Sequence, residues 1–311
     1  MRVLVTGASG FVGAQLIRTL AAGGVWAVRA CARTLPRSGP DGVEWMRSPD
    51  LGPGADWRRL CDGVDVVVHL AARVHVMPRA GSSADDAEYQ RVNVEGTTDL
   101  ARQASAVGVR RLVFLSSIKV HGEGGSITDT SVCAPRDPYG WSKLEAEGRL
   151  HALAAASRMD VVIVRPPLVY GPGVKANFQM LLSAVRRGIP LPLGAIHNRR
   201  SLVGVDNLVD LIRVCLLHPA AAGQSFLVSD GEDLSTPELV RRLGLALGRS
   251  ARVPAVPVSW LRAVATLCGR TPAFDRLSGS LYVDISKAER LLGWRPPVSV
   301  DEGLRRAVGA P

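Results

Sequence analysis

Three glycines, Gly7, Gly10 and Gly13, recur at every third position directly behind an apolar run at residues 3–5. The residues that follow, "FVGAQLIRTLAA", carry apolar side chains at helical spacing. A strand that gives way to a helix within so few residues must turn tightly, and glycine permits the backbone conformations such a turn needs. Glycine in the first helical turn also lets the helix lie close against its strand. The unpaired N–H groups at that helix start then face a site suited to phosphate oxygens. A glycine triplet alone is a weak signal, but one that follows a strand and opens a helix is in the context of a dinucleotide-binding turn.

The remaining pattern extends this layout. Short apolar runs at 2–6, 26–32, 42–47, 64–72, 111–117 and 160–166 read as strands, and helical spacing covers 11–22, 85–107 and 138–156. Strand–helix alternation at this pitch predicts an α/β fold, a Rossmann-type doubly wound parallel sheet covered on both faces. It is expected over residues 1–166. Beyond Pro166 the chain becomes rich in proline and glycine. Helices are predicted near 177–187, 206–217, 236–247 and 258–268, with two more at the C-terminal end. Residues 167–311 are therefore expected to form a smaller C-terminal α/β lobe that packs on the sheet and leaves a cleft.

Composition narrows the function. The chain has 311 residues, 47% of them hydrophobic and 21% charged, as in soluble globular proteins. No uninterrupted apolar run reaches the roughly 18 residues of a membrane span, and the start lacks the plan of a secretion signal. The net charge is +10, but long basic tracts are absent and aromatic content is 5%, low for base stacking. An anionic small substrate accounts for excess arginine better than a nucleic acid. Cys31, Cys61, Cys133, Cys215 and Cys268 are scattered without paired spacing, which predicts free, mostly buried thiols in a reducing cytoplasm. The six histidines are dispersed, so no metal site is expected.

The segment "DPYGWSK" places Tyr139 and Lys143 one helical turn apart, behind an Asp-Pro helix start. A free phenol has a pKa near about 10, too high for a base at neutral pH. A neighbouring ammonium, together with the positive charge of a bound oxidised dinucleotide, is expected to stabilise the phenolate and lower that value.

Taken with the glycine turn, these residues resemble the short-chain dehydrogenase/reductase superfamily in its extended branch, the NAD-dependent epimerase/dehydratases. The likeness covers almost the whole chain. It implies cofactor contacts from Gly7, Ser9, Gly10, Phe11, Val12 and Gly13. It implies an adenine contact from Asp50 and Leu51, and passage of Leu70, Ala71 and Ala72 beside the nicotinamide ribose. Asn93 in "VNVEGT" matches a helix-positioning asparagine near the cofactor, and Pro166 falls at another cofactor-lining position. Ser117 in "FLSSIKVHG", Tyr139 and Lys143 match the catalytic serine, tyrosine and lysine, with Lys143 also bonding the nicotinamide ribose. Where an acid would select NAD, this chain has Arg33, which could pair with a 2′-phosphate. NADP(H) is therefore slightly favoured, with NAD retained as the alternative.

The same resemblance implies a UDP-sugar substrate, bound by Ser117, Lys119, Asn177, Arg200 and Arg276, and a homodimer built on the helices at 85–107 and 138–156. Guanidinium groups suit diphosphate oxygens. Three departures stand out: Leu168 where asparagine is frequent, His121 in place of the tyrosine of "VYG", and Ile118-Lys119 where hexose 4,6-dehydratases carry an Asp-Glu pair. Without those carboxylates, dehydration is not expected. The expected chemistry is hydride transfer at C4 of a UDP-hexose, with a slight preference for a 4-keto-6-deoxy-hexosamine reductase of surface polysaccharide synthesis over a UDP-glucose or UDP-N-acetylglucosamine 4-epimerase. A non-catalytic NAD(P)-binding sensor is a remote alternative, because such proteins lose the tyrosine or lysine.

Overall fold

The computed structural model describes residues 1–74, 83–122 and 124–309. Its first half runs β1 (Arg2–Thr6), α1 (Phe11–Ala22), β2 (Ala27–Ala32), β3 (Val43–Arg47), α2 (Arg58–Cys61) and β4 (Val66–His69). Next come α3 (Ser83–Tyr89), α4 (Gly96–Ala106), β5 (Arg111–Leu115), β6 (Gly125–Ile127), α5 (Pro138–Ala155) and β7 (Asp160–Arg165). The second half contains β8 (Leu168–Tyr170), α6 (Ala176–Arg186), β9 (Arg200–Gly204), α7 (Val205–Leu217), β10 (Ser225–Leu227) and β11 (Asp233–Leu234). It ends with α8 (Thr236–Ala246), α9 (Val258–Leu267), α10 (Thr271–Ser278), β12 (Leu281–Val283), α11 (Ser286–Leu292) and α12 (Val300–Ala307).

Seven parallel strands form the main sheet in the order β10-β7-β5-β4-β1-β2-β3. Alternate residues of the central strands serve opposite cores, as the period of two demands. Val3, Val5, Val66, Val68, Val162 and Val164 pack with α1 and α7. Leu4, Val67, Val161 and Ile163 pack with α4 and α5. Burial on both faces explains why these strands read as unbroken apolar runs. The strand order reverses between β1 and β4, which opens a crevice at the C-terminal ends of the strands.

A second sheet runs β11-β9-β12-β6, with β8 paired to β9. Its helices α6, α8 and α12 close a third apolar cluster around Tyr170, Phe178 and Leu304. The chain passes between the two sheets: β6 leaves the first half to join the second sheet, and β10 returns to the edge of the first. No described helix is long and apolar enough to cross a membrane.

Two elements differ from the sequence pattern. The strand expected over 64–72 ends its ladder at His69, because the Thr6 hydroxyl takes the Leu70 and Ala71 N–H groups at 3.2 and 3.3 Å. The helix expected over 85–107 carries a π-helical stretch, Gln90–Glu95, between α3 and α4. That stretch contains Asn93, and π turns often occur where a helix serves a site.

Candidate functional site

The glycine turn is built so closely that side chains are excluded. Gly7 sits at φ +66°, and a Cβ there would fall 2.7 Å from the Ala71 nitrogen. A Cβ on Gly13 would fall 2.3 Å from the Gly7 carbonyl oxygen. Gly10 caps α1 without a side-chain bond, and no acidic residue stands in the first turn. Those N–H groups remain available for a pyrophosphate, so the cradle fits a dinucleotide. Ser9 and Gly10 are exposed at its mouth, and Phe11 and Val12 are half-buried.

Beside the turn, Leu70 and Ala71 are held by Thr6 through their N–H groups. Thr6 Oγ1 also meets His69 Nδ1 at 2.7 Å, and His69 Nε2 meets Thr97 Oγ1 at 3.0 Å. Burial, with a contribution from Lys143, pushes the His69 imidazole down to about 3, so it is neutral and holds the segment by hydrogen bonds alone. Ala72 is half-buried on the same segment. Asn93 fixes the next residue, accepting from the Arg73 N–H at 2.8 Å and donating to the Arg73 carbonyl at 3.1 Å. It also donates to Ser142 Oγ at 3.0 Å, which in turn donates to the Tyr139 carbonyl. Asn93 thereby joins the chain after β4 to the first turn of α5.

Helix α5 starts as its sequence suggests. Asp137 Oδ1 accepts from the Gly140 N–H at 2.7 Å, with Pro138 in the first turn. This cap sets Tyr139 and Lys143 on the buried face, 8% and 2% exposed. The Ser117 side chain hydrogen-bonds Tyr139, and Ser117 stands two residues past the end of β5. Lys143 Nζ donates to the Leu115 carbonyl at 2.9 Å and lies 5.9 Å from the Tyr139 ring centroid. Ser117, Tyr139 and Lys143 are therefore one cluster at the strand ends.

Its electrostatics differ from the simple expectation. Burial raises the Tyr139 phenol, the Asp137 carboxylate raises it further, and the Ser117 bond opposes them. Burial also pushes Lys143 down to about 7, against the pull of Glu147. Lys143 thus does not by itself bring Tyr139 to a low pKa: the ammonium is too poorly solvated to stay fully charged. Lys119, expected to contact substrate, is ion-paired with Asp137 at the edge of this cluster.

A second group behind Lys143 escaped the sequence reading. Glu147, 2% exposed, receives two hydrogen bonds from Arg165, one of them at 3.1 Å. Arg165 Nη1 donates to His121 Nε2 at 3.0 Å, and His121 Nδ1 faces the Val132 carbonyl at 3.3 Å. His121, one of the departures from the family pattern, thus closes a buried network with the helix that carries Lys143. Burial and the Arg165 charge lower its pKa. The available signal was the spacing, since Glu147 lies four residues beyond Lys143 on the same helix.

The outer positions are looser. Arg33 is exposed just beyond β2 and has no partner among the described residues. Asp50 is exposed and pairs with Arg91 at 3.2 Å, while Leu51 packs against the second core. Pro166 is buried, and its carbonyl accepts from Ile118 N–H at 2.9 Å, beside Ser117. Arg200 Nη1 donates to the carbonyls of Arg276 and Gly279 at 2.6 and 2.9 Å, which joins the two predicted arginines at α10. The second sheet links them to β6, which follows the Ser117 segment: Leu281 of β12 pairs with Arg200 on one side and Gly125 on the other. Asn177 stands exposed in the first turn of α6, and Leu168 is exposed on β8. Cys31, Cys61 and Cys215 are buried, Cys133 half-buried and Cys268 exposed, all unpaired. No group of three or more metal-ligating side chains gathers among the described residues.

Comparison with known proteins agrees with this geometry. Residues 3–229 match the NAD dependent epimerase/dehydratase family. The chain is 45% identical to the UDP-glucose 4-epimerase of Vibrio cholerae, covering 99% of this chain and 94% of that one. The structure of MoeE5 in complex with UDP-glucose and NAD is similar at a TM-score of 0.78 and 26% identity, over 99% of this chain and 98% of that one. The UDP-glucuronic acid 4-epimerase of Bacillus cereus, in complex with NAD, shares the fold at a TM-score of 0.79 and 22% identity, with the same coverage.

Proposed function

This chain belongs to the NAD dependent epimerase/dehydratase family, and on that premise we propose that it transfers hydride between NAD(P)(H) and C4 of a UDP-hexose. The observation that carries the proposal is the Ser117–Tyr139–Lys143 cluster, set at the strand ends beside the glycine cradle. Gly7, Ser9, Gly10, Phe11, Val12 and Gly13 would hold the pyrophosphate side of the dinucleotide, and the segment 70–72 with Asn93 and Pro166 would border the rest. When bound, the dinucleotide supplies the hydride acceptor or donor and a local positive charge.

The chain's own residues handle the proton. Tyr139 takes the proton of the C4 hydroxyl as that carbon is oxidised and returns it when the ketone is reduced. Ser117 already bonds the phenol and orients the substrate oxygen at the same point. Lys143 favours the phenolate and holds the ribose hydroxyls. Arg200 and Arg276 hold the diphosphate at a distance from the reacting carbon, with Asn177 and Lys119 as further substrate contacts.

A 4-epimerase is the first reading, supported by full-length similarity to the Vibrio cholerae protein. The second reading is a 4-ketoreductase using NADPH. It is favoured by Arg33, exposed and without a partner among the described residues where a 2′-phosphate would lie. Ile118-Lys119 lacks the carboxylates of a dehydratase. A homodimer through the α4 and α5 faces is part of the same proposal, supported by Trp141, 58% exposed on α5.

The test offers UDP-glucose, UDP-N-acetylglucosamine and a 4-keto-6-deoxy UDP-sugar, with and without NAD(P)H. A C4 epimer formed with only catalytic NAD supports the first reading. Stoichiometric NAD(P)H consumption with the keto-sugar supports the second. Turnover of none of them refutes the substrate class.

A further inference from the structure

Helix α9 rests on its half-buried Leu261 and Ala265 and turns a second apolar side to water. Arg262 and Thr266, one turn apart, face α10: Arg262 Nη2 lies 3.3 Å from Asp275 Oδ1, and the Thr271 hydroxyl donates to Thr266 Oγ1 at 3.1 Å. Trp260, Val264 and Leu267 form a stripe at helical spacing, and they are 70%, 59% and 88% exposed. No residue of α9 is buried. Helix α12 shows the ordinary arrangement, burying Val300, Leu304 and Ala307 and exposing its charges. An outward apolar stripe with a tryptophan marks a surface that is covered in use.

Charge identifies what covers it. Arg252 and Arg270, both exposed, flank α9 in the sequence. Between residues 249 and 276 the sequence has one acidic residue, Asp275, and Arg262 already pairs with it. A second copy docked on this face would bring like charges together across a two-fold axis. An anionic surface satisfies both the stripe and its arginines. A helix with an outward apolar stripe, an exposed tryptophan and arginines at its two flanks has the chemistry of an interfacial anchor. We propose that α9 lies in the headgroup layer of an anionic bilayer, with Trp260, Val264 and Leu267 inserted and Arg252 and Arg270 against lipid phosphates. This concerns where the protein sits and is independent of the reaction assigned above.

The full chain is sedimented with vesicles of phosphatidylglycerol and phosphatidylcholine, or of phosphatidylcholine alone. The expected result is binding to the anionic vesicles, weakened by salt. Trp260→Asp and Leu267→Asp should each lower partitioning by about tenfold or more, as should the double variant Arg252→Ser/Arg270→Ser. All these side chains are exposed, so the unfolding midpoint should stay at the wild-type value and show that the variants are folded. Failure to bind anionic vesicles, equal binding to neutral ones, or binding insensitive to Trp260→Asp would each overturn the proposal. So would a wild-type oligomer in sedimentation velocity that Trp260→Asp dissociates, since that would assign the face to a second copy.

Discussion

Replacing Glu147 with glutamine tests whether the buried network behind α5 supports Lys143. Glu147 is 2% exposed and is bound by two Arg165 hydrogen bonds, while the Arg165 side chain is 14% exposed. Removing one charge of such a pair leaves the other buried and uncompensated, at a cost of about 3–5 kcal/mol. Glutamine still offers one acceptor, so the lower end applies. At about 2 °C or more per kcal/mol for a chain of this size, the unfolding midpoint should fall by about 6 °C or more. The catalytic effect has a separate sign. Lys143 is pushed down to about 7 by burial, and Glu147 pulls the other way. Without that carboxylate the Lys143 pKa falls further, and each unit removes about a factor of ten in ammonium at pH values above it. Activity that needs the ammonium is present below the Lys143 pKa and is lost as pH rises through it. The alkaline limb of the kcat/KM profile should therefore move to lower pH in Glu147→Gln. Thermal unfolding and a pH–rate series on the same preparation measure both effects. A wild-type midpoint with an unmoved alkaline limb would refute the argument, and a lower midpoint with an unmoved limb would reduce Glu147 to a structural role.

Four further substitutions test the site. Tyr139→Phe should retain dinucleotide binding and lose about 10²-fold or more in turnover, measured by steady-state kinetics beside a cofactor titration; near-wild-type turnover would remove the phenol from the mechanism. Arg33→Asp should shift preference from NADPH toward NADH by about tenfold or more, because a charged hydrogen bond of about 1.5–3 kcal/mol is replaced by repulsion; unchanged preference would leave Arg33 outside the 2′-phosphate site. Arg276→Ala should raise KM for the nucleotide sugar with cofactor affinity unchanged. Arg200→Ala should do the same and also lower the unfolding midpoint, since its guanidinium binds the carbonyls of Arg276 and Gly279; a loss of cofactor affinity alone would place both arginines at the other ligand.

Features set by a few neighbouring residues were legible in the sequence. The start of α1 follows from Gly7 and Gly10, where the turn requires φ of +66° and an uncapped helix end. The start of α5 follows from Asp137 and Pro138, whose cap and fixed φ act within one turn. The central strands were legible because burial on both faces leaves an unbroken apolar run. Features that rest on distant partners were not legible. Strand β10 has three residues and exists by pairing with β7, more than sixty positions away. The second sheet assembles strands of two to five residues from both halves of the chain, each too short to carry a period of its own. The candidate site divides in the same way. Tyr139 and Lys143 share a helix face by spacing alone, but the depressed Lys143 pKa comes from burial that only packing creates. Glu147, Arg165 and His121 meet because α5, the end of β7 and the loop after Ser117 converge. The helical spacing of α9 was visible in the sequence, and tertiary structure alone determined which apolar side faces water: Leu261 and Ala265 are half-buried, Arg262 and Thr266 bond α10 from an exposed flank, and Trp260, Val264 and Leu267 are left outward.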